Sequence, residues 1–150
     1  MIKSPKPAFE KIEPGFGSSF SYRTYDENHE NNSHNFWHYH PELELVYVKG
    51  GTGKRQVGSH ISYYRNGELI LIGSNLPHCG FTDSLNNYER ETVIQMRPDF
   101  LGESFFNVPE MRSIKALFER AKMGIVFHGE LKRIIGSKIE TLKSLSNYER

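Results

Sequence analysis

Up to Pro98 the apolar residues come in short runs, several of them alternating, with glycine, asparagine or proline between them. A strand sends successive side chains to opposite faces, so alternation over about four to eight residues marks a half-buried strand. SSFSYRTY (18–25), ELELVYV (42–48) and ERETVIQM (89–96) fit that pattern, and ELILIG (68–73) reads as a buried strand. KGGTGK after the second run reads as a glycine-rich turn. KRQV and HISYY follow, and then Asn66-Gly67, which predicts the tight turn of a β-hairpin because both residues tolerate positive φ. DENHENNSHN (26–35) is polar, has no period and reads as a loop. Short strands at this spacing suggest an antiparallel sandwich or barrel.

Beyond Pro98 the period changes. MRSIKALFERAKMG (111–124) places Met111, Ile114, Leu117, Phe118 and Ala121 on one helical stripe, with Gly124 where a C-cap would fall. From Glu130 a second helix puts Leu131, Ile134, Ile135, Ile139, Leu142, Leu145 and Tyr148 mostly three or four residues apart. That stripe runs almost to the last residue without a stop signal, so the chain reads as part of a longer protein. The expected organisation is one mainly β unit over 1–98, including an N-terminal extension, with a helical segment of the same domain over 99–150.

Composition narrows the function classes. With 150 residues, 37% hydrophobic and 13% aromatic, the chain can build a single core. A formal net charge of +1 gives no footprint for nucleic acid across the chain as a whole. Residues 1–109 hold 10 basic and 13 acidic side chains, and residues 110–150 hold 9 and 5. The basic excess therefore lies in the helical part, where a solvated face explains it. Cys79 is the single cysteine, so no internal disulfide can form, which suits a reducing cytoplasm. MIKSPKPAFEKIEPGFG lacks the apolar core of a secretory signal, and no run approaches the ~18 apolar residues of a membrane span.

The chemistry concentrates in FWHYHPELELVYVKGG (36–51). His38, His40, Glu42 and Glu44 share even parity, and a strand would aim them at one side. His78 follows the ELILIG strand and a turn. Three imidazoles and a carboxylate, His38, His40, His78 and Glu44, are a familiar ligand set for zinc, iron, nickel or manganese. The same groups could instead hydrogen-bond one another or hold an organic ligand, since buried polar groups need partners either way. Pro41 disturbs the strand start and is expected to turn Glu42 outward. Trp37 and Tyr39, of opposite parity, read as packing residues. Arg55 could clamp a carboxylate, but a hairpin tip is its expected setting. Cys79 reads as a small buried thiol.

His38-x-His40-x3-Glu44-x6-Gly51, followed by Gly67-x10-His78, resembles the two signature motifs of the cupin barrel. Asn32, Gly73, Asn75 and Thr82 depart from those motifs, standing where glycine, proline, glycine and asparagine are usual. HYHPELELVYVKGGTGKRQVG, then NGELILIGSNLPH, then ERAKMGIVFHG and a helix resemble the amino-terminal sensor half of AraC-type transcriptional regulators over roughly residues 18–150. The resemblance implies a cupin-like antiparallel β-barrel, or jelly roll, followed by a C-terminal pair of α-helices. It implies no catalysis: a small-molecule effector, such as a sugar, is held by His38, His40, Glu44 and His78. It also implies a cytoplasmic homodimer acting on DNA through a helix-turn-helix domain after residue 150. Leu131, Ile134, Ile135, Ile139, Leu142 and Leu145 approximate the seam of such a dimer, although Lys138 occupies one of its positions. The rival expectation is a metal-dependent cupin enzyme, a dioxygenase or isomerase, with a divalent ion on the same four residues.

Overall fold

A computed structural model of the chain describes residues 6–29, 31, 36–79 and 86–150. Residues 30 and 32–35 of the loop expected over 26–35, and residues 80–85 with Thr82 among them, lie outside the described residues. Nine strands form one sheet: β1 (Ala8–Phe9), β2 (Phe20–Tyr25), β3 (His38–Tyr39), β4 (Leu43–Val57), β5 (His60–Arg65), β6 (Glu68–Ile72), β7 (His78–Cys79), β8 (Asn86–Met96) and β9 (Ile125–Val126). Every pairing is antiparallel except that of β1 with β3. The protein is mainly β with three short α-helices: α1 (Glu103–Phe106), α2 (Arg112–Arg120) and α3 (Gly129–Thr141). Among the described residues the strand pairings do not close into a ring, so the expected closed barrel is not drawn by the ladder itself.

Two expected turns are not turns. β4 is 15 residues long and runs straight through the KGGTGK stretch. Its first half pairs with β6, from Glu44↔Ile72 to Val48↔Glu68, and its second half with β5, from Thr52↔Arg65 to Val57↔His60. β5 and β6 therefore lie end to end along one partner and do not pair with each other. The reversal falls instead at Gly58-Ser59, closed by the Val57↔His60 pair, with Gly58 at φ 57°. Asn66 and Gly67, at φ 55° and 79°, do adopt the left-handed region as expected, but opposite Gly50 and Gly51, at φ 70° and 72°. Positive φ on both strands at one level makes a shared kink rather than a hairpin end. The strands approach closely there: Gly67 N–H donates to Gly51 O at 3.0 Å.

The kink folds the ribbon over itself. Val46, Val48, Ile70 and Ile72 before it, and Tyr64 with Val57 beyond it, join Val93 of β8 in one apolar cluster. Parity changes across the two glycines: Glu44, Val46 and Val48 face this cluster, and so, after the kink, do the positions of Gly53 and Val57. On the opposite face Leu43, Leu45, Leu69, Leu71, Ile94 and Met96 meet the helices. Both faces of β6 are thus covered, which is why ELILI is apolar at nearly every position and wholly buried.

The helices cover that outer face. In α2 the expected stripe is the packed side, with Leu117, Phe118 and Ala121 against Leu43 and Leu71. A 3-10 turn (Ala121–Met123) ends at Gly124, φ 75°, where the sequence predicts the cap. Gly73 donates to Ala121 O at 2.7 Å, and any Cβ at Gly73 would collide with the Lys122 backbone. In α3, Ile135, Ile139 and Leu142 pack on Leu69 and Ile94, and Gly136 leaves room for the Tyr47 ring. The apolar stripe does not continue to Tyr148. A 3-10 turn (Leu142–Ser144) ends the helix, and Arg150 Nε donates to Leu142 O at 2.8 Å and Leu145 O at 3.1 Å. Its guanidinium lies 5.0 Å over the Tyr22 ring, so the last carbonyls have a stop that the spacing did not show. No described helix is long and apolar enough to cross a membrane.

Candidate functional site

The expected histidines come together at one end of the enclosed face. His38 sits directly opposite His78 in the β3–β7 pair, and His78 also pairs with Val57. His40 follows β3, and its carbonyl accepts from Asn75 N–H at 2.8 Å, which ties the His40 bend to the turn before β7. All three rings are almost fully buried, with centroids 4.3 Å apart for His38–His78, 5.1 Å for His40–His78 and 5.9 Å for His38–His40.

Each ring is oriented in the same way. Nδ1 of His38 meets Phe36 O at 2.9 Å, Nδ1 of His40 meets Glu42 O at 3.2 Å, and Nδ1 of His78 meets Leu76 O at 2.8 Å. A carbonyl oxygen only accepts, so these bonds assign the proton to Nδ1 in every case. Each ring therefore presents Nε2 away from its own backbone. One donor atom from each ring lies within 4.8 Å of the others. Backbone orientation of the non-ligating nitrogen is the usual support for a metal-binding imidazole.

Glu44, the second residue of β4, points into the interior and completes the cluster. Its Oε2 is 3.1 Å from His40 Nε2 and accepts from Gln95 Nε2 at 2.8 Å, and its Oε1 is 3.5 Å from His78 Nε2. Burial by itself would push the Glu44 carboxyl up, but His78 and the hydrogen bonds from His40 and His78 outweigh it and hold the group well below the ordinary range. Burial pulls His78 down, and Glu44 more than reverses that, so its imidazole stands above its usual value. His38 stays below its usual value through burial and the neighbouring His78. Glu10, just after β1, brings a second carboxylate to 3.4 Å from His38 Nε2.

Glu42 does not share the position of Glu44. Its carbonyl meets His40 Nδ1, and its carboxylate lies 3.7 Å from that same nitrogen, on the side away from Nε2. It supports His40 from behind and stays largely buried, so the bend at Pro41 does not turn it outward as expected. Trp37 and Tyr39 are half-buried, with Tyr39 edge-on to Phe9 at 5.7 Å. Cys79 is partly buried opposite Gln56.

Arg55 overturns its expected setting. It lies two residues before the pair that closes the β4–β5 hairpin, but its side chain is mostly buried and paired with the buried Glu68 rather than exposed at the tip. Nearby Tyr64 has its hydroxyl pushed far up by burial and by Glu91. Sequence reasoning singled out Arg55 as a carboxylate clamp but missed its neighbours Glu68, Tyr64 and Glu91, as well as Gln95 and Glu10. The signal was present in part: Glu91 and Gln95 share one parity in ERETVIQM, and Glu68 opens an otherwise apolar strand. A buried charge at such a position requires a partner, but which partner depends on the kink.

A β scaffold that turns one face inward and lines its end with oriented imidazoles, carboxylates and an amide is that of a small-molecule-binding domain. The model of the AraC-like ligand-binding domain family matches residues 20–149, and the chain belongs to that family. No curated protein matches the chain.

Proposed function

We propose that the chain is the effector-sensing and dimerisation part of an AraC-type, DNA-binding transcriptional regulator. The observation that supports this reading is the enclosed end of the sheet, where His38, His40, Glu44 and His78 lie buried side by side on a scaffold of the ligand-binding family. The folded-over β4–β5–β6 ribbon is the element around which a cupin-type jelly roll would be wound. A small polar molecule, with sugars the first class to try, enters this end and hydrogen-bonds to those groups, and no bond is broken in it. The effector shifts the population of two arrangements of sheet and helix pair, and must bind one of them better to act as a switch. A homodimer in the cytoplasm, reading DNA through a helix-turn-helix domain beyond residue 150, converts that shift into altered half-site engagement.

The test is a thermal-shift screen of sugars, sugar acids and polyols, followed by calorimetry on any hit. The reading expects a compound that binds stoichiometrically to the wild type and not to Gln95→Leu, and that alters operator binding by the full-length protein. A hit that is chemically converted on incubation would sink it. That outcome would support the second reading, a metal-dependent cupin dioxygenase or isomerase, which the orientation of the three Nε2 atoms beside Glu44 favours.

A further inference from the structure

Arg55 is buried on the enclosed face with one partner and several donors to spare. Its Nη1 is paired with Glu68, and among the described residues it makes no other ion pair. A guanidinium carries five N–H donors in one rigid plane, and a single carboxylate engages only one edge of it. The side chain keeps 11% exposure, so the rest of that plane is open to a visiting molecule. Directly opposite on β5, Ser62 has a buried hydroxyl without a hydrogen-bond partner, and so has Tyr64 two residues further on. Residues opposite each other in a ladder, or two apart along a strand, share a face, so Arg55, Ser62 and Tyr64 point the same way. Tyr64 is only 6% exposed, and burial and Glu91 push its phenol far up, so it stays protonated and able to donate. Buried hydroxyls without partners are costly unless a bound molecule supplies the acceptor.

We infer that Arg55, Ser62 and Tyr64 form a subsite for a carboxylate, so that the effector is a small organic acid rather than a neutral molecule. The inference rests on the effector-sensing reading and names the chemical class that reading leaves open. Glu68 is a positioning residue: it holds Arg55 by Nη1 and leaves the other edge of the guanidinium for the ligand. Two parallel N–H groups on such an edge match the two oxygens of a carboxylate. A carboxylate adds one negative charge beside Glu68 and a phosphate nearly two, which favours the carboxylate. The rest of the molecule has a direction to run. Val57 lies opposite His78 and shares a face with Arg55, two residues and about 7 Å back along the strand. An acid of a few carbons therefore places its carboxylate at Arg55 and a hydroxyl at the histidine end. Hydroxy acids, sugar acids among them, have that form.

The test titrates the nitrogen-15-labelled chain with glycolate, the smallest hydroxy acid, and follows the Arg55 Nε–H and Ser62 amide resonances. Ethylene glycol is its neutral counterpart, and sodium chloride at equal ionic strength is the salt control. Glycolate is expected to move both resonances saturably, and the two controls are not. Tyr64→Phe is expected to weaken glycolate about fivefold, as loss of one hydrogen bond does, with an unfolding midpoint no lower than that of the wild type. Arg55→Lys keeps the charge beside Glu68 but loses the planar edge, and should weaken glycolate about tenfold or more. No saturable response of the wild type to glycolate overturns the subsite. So does an equal response to ethylene glycol, which would mark a neutral ligand, or unchanged affinity in both variants. Operator binding by the full-length protein separates the two readings: an acid that binds at Arg55 and leaves it unchanged keeps the subsite and removes the regulatory role.

Discussion

At the residue scale, Glu44 and His78 each make the stability of the domain depend on pH. Glu44 has its folded pKa lowered from 4.5, so the stability it contributes is present above that value and lost as pH falls through the folded pKa. His78 is raised from 6.5, so its contribution is complete below that value and lost as pH rises through the folded pKa. Urea unfolding should therefore give a stability maximum between the two, with Glu44→Gln flattening the acid side. An acid limb unchanged in that variant would mean that other carboxylates set it. Both effects arise from groups within 3.5 Å of each other, and each depends on its partner's charge.

At the element scale, the kink in the β ribbon and the seat of α2 depend on two glycines for different reasons. Gly67 stands at φ 79° and an added Cβ would collide with Val48 O, so Gly67→Ala adds left-handed strain of about 1–2 kcal/mol to that collision. Gly73 is not at positive φ; its added Cβ meets the Lys122 backbone, and overpacking of that kind costs about 1–3 kcal/mol. Denaturant midpoints should fall in both variants. Gly67→Ala should also perturb the histidine end, read as shifted imidazole resonances, because the kink carries the second half of β4 to His78. Imidazole resonances unchanged in Gly67→Ala would show that the site does not depend on the kink.

At the scale of the whole molecule, the apolar side of α3 is divided. Ile139 is buried against the sheet of its own chain, with Ile135 and Leu142 beside it, while Leu131 and Ile134 remain 50% and 41% exposed. The six residues expected at a dimer seam therefore do not form one free face. Ile139→Ala is expected to lower stability by about 2–5 kcal/mol at any protein concentration, as a core truncation does. Leu131→Glu with Ile134→Glu is expected to leave the unfolding midpoint of the monomer near that of the wild type and to abolish concentration-dependent association in sedimentation equilibrium. A wild type that stays monomeric at high concentration would remove the basis for a helix-mediated dimer.

The alternation through residue 96 and the stripe of Met111 to Ala121 are local properties, set by the side-chain periods of strand and helix, and the sequence by itself determined them. It also marked the polar cluster, since His38, His40, Glu44 and His78 are recognisable by type and spacing and lie together in the fold. Tertiary structure decided where the chain reverses. Positive φ at Gly50-Gly51 is compatible with either a turn or a kink, and only the facing Asn66-Gly67 makes it a kink. Glu10, Gln95 and the Arg55–Glu68 pair reached the enclosed face through pairings between residues far apart in the chain, so no window of sequence contains them. Register between distant strands is a collective choice of the folded chain, made by burying both faces of the sheet at once.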